Sequence, residues 1–147
     1  MTMGEPADAQ ALAAAVGREM YANDHASRAL GFVLEEIGPG YARMRMTVRE
    51  DMVNGHSTCH GGIIFTFADS TFAFACNSHN HVTVAQGASI EFVAPGKLGD
   101  VLTAVGEERH LHGRNGVYDI AVTNQSGERI AFFRGKSFRL TGRIVGA

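Results

Sequence analysis

The stretch from Ile63 to Cys76 constrains this chain most. Ile63, Ile64, Phe65, Phe67, Ala68, Phe72, Phe74 and Ala75 place apolar side chains on more than one face of a helix. Such a helix is stable only where protein wraps most of its circumference. The run is interrupted by Thr66, Asp69, Ser70 and Thr71 and is well short of the ~20 residues that span a bilayer. It reads as a buried central helix that opens at His60-Gly61-Gly62 and ends near Ser78.

The flanking sequence supplies the wrapping. Good helix formers from Asp8 to about Asn23, with Leu12, Val16 and Met20 at helical spacing, predict a first helix over about 8–25. Phe32–Ile37 and Tyr41–Val48, joined by Gly38-Pro39-Gly40, predict a hairpin. Its second strand alternates Tyr41, Arg43 and Arg45 with Ala42, Met44, Met46 and Val48. Beyond the central helix, Val82–Ala94 reads as a long strand with Val82, Val84, Ala88, Ile90 and Phe92 on one face, interrupted only by Gln86. Further strands are expected at Val101–His110, Gly116–Asn124 and Arg129–Thr141, after turns such as Gly113-Arg114-Asn115 and Gln125-Ser126-Gly127. This order suits an α+β fold, one antiparallel sheet curled around one helix, as a single domain over 1–147.

Composition removes several function classes. The formal net charge is −2, and the basic residues are spread along the chain, so there is no footprint for a nucleic-acid backbone or an anionic membrane. Met1–Gln10 has acids and no basic region ahead of an apolar core, unlike a signal peptide, and a cytoplasmic location is expected. In that compartment Cys59 and Cys76 are expected as free thiols. Seven histidines raise a metal reading, but His56, Cys59 and His60 precede the central helix while His79 and His81 follow it, and no metal site is expected.

Asp69 is the residue that most needs explaining. It lies mid-helix among phenylalanines, and no Lys or Arg occurs from Glu50 to Gly96. An unpaired buried carboxylate costs several kcal/mol unless it is solvated, hydrogen-bonded or protonated. Two readings stand: a polar stripe with Thr66 and Ser70 facing solvent or an interface, or a functional carboxylate. His60-Gly61-Gly62 adds backbone NH groups at the positive end of the helix dipole, where an oxyanion is stabilised. Gly61 and Asp69 are separated by roughly 12 Å of helix rise, too far for one carbonyl to meet both in one subunit. Antiparallel helices related by a two-fold axis would bring Gly61 of one copy opposite Asp69 of the other.

Met52-Val53-Asn54-Gly55-His56, Cys59-His60-Gly61-Gly62, Ala68-Asp69 and Phe72-Ala73-Phe74-Ala75-Cys76-Asn77-Ser78 resemble the PaaI-type phenylacetate-degradation thioesterases of the hotdog superfamily. The likeness continues through Phe92, Pro95-Gly96, Gly99-Asp100, Gly116-Val117-Tyr118-Asp119-Ile120 and Phe133-Arg134-Gly135-Lys136-Ser137. It implies a hotdog fold, sites at a dimer interface, commonly a dimer of dimers, and hydrolysis of an aromatic acyl-CoA such as phenylacetyl-CoA or a ring-hydroxylated derivative, without a cofactor. It also implies roles: Gly61 donates its NH to the thioester carbonyl, Asn54 and His60 help to bind or orient that group, and Asp69 attacks the carbonyl or activates water.

The remaining candidates are less constrained. Ser70 or Gln86 would orient water, since relatives sometimes use a hydroxyl on the following strand and here Ala85 and Gln86 stand there. Phe65 and Phe72 would line an acyl pocket. Lys97, Arg134, Lys136 and Arg139 would meet the coenzyme A phosphates. Two rival readings remain, a hotdog hydratase or dehydratase using His60 and Asp69 at carbon, and a non-catalytic acyl-CoA sensor.

Overall fold

The computed structural model describes residues 6–146. The first half of the acidic N-terminal segment, residues 1–5, lies outside the described residues, as does residue 147. In chain order the elements are helix α1 (Pro6–Asn23), a short helix α2 (His25–Ala29), strands β1 (Val33–Gly38) and β2 (Tyr41–Thr47), a single 3-10 turn at Glu50–Met52, helix α3 (Gly61–Asn77), and strands β3 (Thr83–Phe92), β4 (Val101–His112), β5 (Asn115–Thr123) and β6 (Arg129–Arg139). The strands form one antiparallel sheet in the order β1-β2-β4-β5-β6-β3. α3 is the connection that carries the chain from β2 across to the far edge, and it packs on one face of the sheet against every strand. This is the α+β hotdog architecture.

The period-two patterns choose which face meets the helix. Ala42, Met44 and Met46 of β2, Leu102 and Ala104 of β4, Tyr118, Ile120 and Val122 of β5, and Ala131 and Phe133 of β6 are all buried. They enclose Phe67, Ala68, Phe72, Phe74 and Ala75 of α3. The enclosure explains how so apolar a helix is tolerated. Asp24 caps α2 by accepting from the Ser27 backbone NH at 3.0 Å, which divides the N-terminal helical region in two. Of the Leu12, Val16, Met20 spacing, Val16 is buried and Met20 packs against the core, while Leu12 is exposed and Ala13 takes the buried place at that end of α1.

The second correction falls on β3. Its ladder with β6 shifts between Ala85 and Gly87, so Gln86 is the extra residue of a β-bulge. Ala88, Ile90 and Phe92 pair with Gly135, Phe133 and Ala131 on the helix side, and Ala85 pairs with Ser137. Val84 pairs with Phe138 and falls on the opposite face, not with Ala88, Ile90 and Phe92 as strict alternation predicts. Except for Thr83 and Ile90 the strand is exposed on both faces, and within the chain it bonds to β6 alone. An open edge of this kind presents unpaired backbone groups to which another strand can bond.

Candidate active site

The start of α3 is set by His60. Its backbone carbonyl accepts from the NH groups of Ile63 at 2.9 Å and Ile64 at 3.2 Å, and its ring Nδ1 accepts from the Gly62 NH at 2.9 Å. Of the NH groups in the first turn, these are satisfied and Gly61 alone has no partner among the described residues. A free NH at the positive end of a long helix is a ready donor to an oxyanion. With Nδ1 accepting, the neutral His60 ring carries its proton on Nε2, which leaves one outward donor.

Asn54 holds the loop before the helix. Its Oδ1 accepts from the His56 NH at 2.9 Å, the Thr58 NH at 3.2 Å and the Thr58 hydroxyl at 3.2 Å. This assigns its amide Nδ2 as the group without a partner among the described residues. An antiparallel bridge of Val53 with Cys59 closes the loop on itself, and one of Thr58 with Lys97 ties it to the segment after β3.

Asp69 is half-buried two turns along α3 and makes no hydrogen bond or ion pair to any described residue. Burial pushes its carboxyl above the ordinary aspartate value, with no compensating partner. It adds to the rise of the Cys76 thiol, which burial pushes to about 12. Cys59, at the other end of the helix, is pushed to about 11 by burial. Both cysteines are free, and roughly 25 Å of helix separates them.

The other candidates are distributed differently from the sequence expectation. Phe72 is fully buried between Tyr118 and Phe133, with ring centroids 5.7 and 5.8 Å away, so it is core and not a pocket wall. Phe65 is only partly buried and meets Phe133 edge-on at 5.3 Å. The Ser70 hydroxyl is taken by the Ser27 hydroxyl at 2.9 Å and fastens α2 to α3 rather than standing free for water. Gln86 is exposed on the bulge of β3. Arg134 makes bonds of 2.6 and 2.8 Å to Asp119, which hold that carboxylate below its usual range. Alternation along β6 puts Arg134 and Lys136 on the sheet face away from α3, so within one subunit the sheet separates both from Asp69. Arg139 lies near His81 and Glu108, beyond the C-terminal end of α3, and Lys97 lies by its N-terminal end. Among the described residues no three His, Cys, Asp or Glu side chains gather as a metal-ligand set, and no helix is long and apolar enough to cross a membrane.

Sequence reading put Phe92 on a strand face and within the resemblance, but did not join it to the start of α3. Phe92 closes β3, and its ring tip comes within 3.2 Å of the place a Cβ would take on Gly61. The approach of a strand end to a helix start has no sequence signature, because it depends on where the sheet places β3.

The profile of the thioesterase superfamily matches residues 56–131, from the loop before α3 into β6. The chain is also 46% identical over 127 residues to the acyl-coenzyme A thioesterase PaaI of Escherichia coli (strain K12), covering 86% of this chain and 91% of that protein. This protein belongs to the PaaI-type thioesterases of the thioesterase superfamily. The structure of the PaaI protein from the Escherichia coli phenylacetic acid degradation operon superposes on this PaaI-type chain with a TM-score of 0.90 at 43% identity, covering 91% of this chain and 97% of that one. A hypothetical thioesterase protein from Streptococcus pneumoniae TIGR4, solved with coenzyme A, superposes with a TM-score of 0.79 at 28% identity, covering 84% of this chain and 98% of that one.

Proposed function

We propose that this PaaI-type chain hydrolyses aromatic acyl-CoA thioesters of the phenylacetyl or hydroxyphenylacetyl type to free acid and coenzyme A. The observation that carries the reading is the pair formed by the unpartnered Gly61 NH and the unpartnered, half-buried Asp69 on one helix. The likeness to PaaI supports the aromatic acyl class. The reaction is placed in the cytoplasm and uses no metal or cofactor.

The two groups serve different atoms. The Gly61 NH donates to the thioester oxygen as it becomes negative, an interaction worth roughly 3 kcal/mol in the transition state. Asn54 Nδ2 and His60 Nε2 supply further donors near the same end of α3. Asp69, ionised, attacks the carbonyl carbon or takes a proton from the water that does. In either route the carbon–sulfur bond breaks and coenzyme A leaves as thiolate and takes up a proton. Where Asp69 is the nucleophile, the resulting Asp69–acyl mixed anhydride is then cleaved by water to free acid and regenerated Asp69; where Asp69 is the base, the oxygen of the attacking water ends directly in the carboxylic acid. A thiolate leaves without strong acid help, which suits a site with no Ser-His-Asp arrangement.

Because Gly61 and Asp69 are separated by roughly 12 Å of helix, each reaction centre draws on two subunits. β3 runs past α3 in the reverse direction. Phe92 rests on Gly61, Ile90 pairs with the Phe133 that Phe65 packs against, and Ala88 pairs with the Gly135 that Phe72 packs against. The midpoint between Gly61 and Asp69 is Phe65, level with Ile90. A two-fold axis through Ile90 would pair β3 with its copy, set Phe92 opposite the partner's Ala88, and bring Gly61 of each copy to Asp69 of the other. Two such dimers are proposed to associate as a tetramer.

The reading is tested by screening acyl-CoAs with a thiol reagent against wild type, Asp69→Asn and Asp69→Ala. Turnover is expected to fall by about 100-fold or more in each variant while the dimer persists. Normal hydrolysis by the variants would remove Asp69 from the mechanism. Free thiol appears in hydrolysis but in neither hydration nor mere binding, so the same assay separates a hydratase and a sensor from a thioesterase.

A further inference from the structure

Phe92 ends β3 on the helix side of the sheet, and 53% of it is exposed within one subunit, at the open strand edge. Its contact is specific. Ring atoms Cζ, Cε1 and Cε2 stand 3.2, 3.5 and 3.7 Å from the position of a Cβ on Gly61. The ring tip therefore packs over the open Cβ side of Gly61, the residue whose backbone NH is the one in the first turn of α3 with no partner among the described residues. The hollow around this contact is lined by Thr58, Cys59, Ile64 and the Val93–Gly96 segment, with no charged side chain.

A donor in a dry, low-dielectric setting stabilises a developing charge more than one bathed in water, and a fixed donor needs no reorganisation during the reaction. We propose that Phe92 is a positioning residue for thioester hydrolysis: it excludes water from the Gly61 NH and holds the start of α3 in place as the carbonyl docks. A methyl group at position 61 would meet the ring at 3.2 Å, so an alanine there would have to push Phe92 back by a few tenths of an ångström. This inference rests on the reading of Gly61 as the oxyanion donor.

The test compares steady-state hydrolysis of phenylacetyl-CoA by wild type, Phe92→Ala and Phe92→Leu, with thermal melts of each. Complete loss of an oxyanion donor costs roughly 100- to 1,000-fold in kcat, and a donor left in place but wetted is expected to lose about tenfold. Phe92→Ala should show that fall in kcat with KM changed less than about threefold, and Phe92→Leu, which keeps an apolar cover, should recover most of it. In a second arm, Gly61→Ala should lower the melting temperature and the double variant Gly61→Ala with Phe92→Ala should restore it. An unchanged kcat in Phe92→Ala, a change in KM alone, or no recovery of stability in the double variant would overturn the proposal. Absence of coenzyme A release by wild type would instead remove the thioesterase reading beneath it, before any variant is compared.

Discussion

Burial makes the charged form of Asp69 costly to hold in the folded chain. In the unfolded chain an aspartate ionises near pH ~3.9. In the folded chain burial raises that value and no hydrogen bond opposes it. Between the two values the folded state binds more protons than the unfolded one, so stability falls as pH rises through that window, and above it the full cost remains. Asp69→Asn is therefore expected to melt at a higher temperature than wild type at pH 7, with the two curves converging below about pH 4. Equal melting temperatures at pH 7 would show that the carboxylate is not destabilising. The same titration predicts that turnover is lost on the acid side at a pH above the ordinary aspartate value. Stability gained and activity lost at one atom pair is the trade expected of a reactive site.

At the scale of elements, the position of α3 on the sheet depends on one close approach. A Cβ on Gly135 of β6 would stand 2.7 Å from two atoms of the Phe72 ring, and Phe72 is fully buried one turn from Asp69. Gly135→Ala must push the ring off β6, and overpacking of this kind costs about 1–3 kcal/mol. Urea unfolding should show a lower midpoint at unchanged slope. A midpoint equal to wild type would mean that the ring moves freely and that β6 does not set the height of the helix. The bulge at Gln86 acts on β3 in a complementary way, letting the strand turn Ala88, Ile90 and Phe92 toward α3 while Val84 faces outward.

For the whole molecule the prediction concerns the two-fold axis. Residues directly opposite in an antiparallel pair have Cα atoms about 4.5–5.5 Å apart, within disulfide range. With the axis at Ile90, Ile90→Cys is expected to form a crosslinked dimer on mild oxidation, whereas Val84→Cys, displaced along the strand, is not. Cys59 and Cys76 should stay silent, because both are buried and their thiols are pushed to about 11 and 12. Non-reducing electrophoresis reads the result. Crosslinking of Val84→Cys in preference to Ile90→Cys would place the axis elsewhere and separate Gly61 from the partner's Asp69.

Much of this architecture is legible from local patterning. The enclosed helix from Gly61, the alternation of β2, and the odd carboxylate at Asp69 all follow from side-chain type and spacing, because burial and backbone period act over a few residues. The fine structure of β3 does not follow. A bulge shows only in the ladder with β6, and strict alternation through Gln86 put Val84 on the wrong face. Nor could sequence show that Ser70 is claimed by Ser27, that Arg134 is claimed by Asp119, or that Phe92 reaches Gly61, since each joins residues that only the closed sheet makes neighbours. Sequence alone determined which groups are present and which element bears them. Tertiary structure decided which of those groups are already satisfied, and in doing so left the Gly61 NH and the Asp69 carboxylate without partners among the described residues.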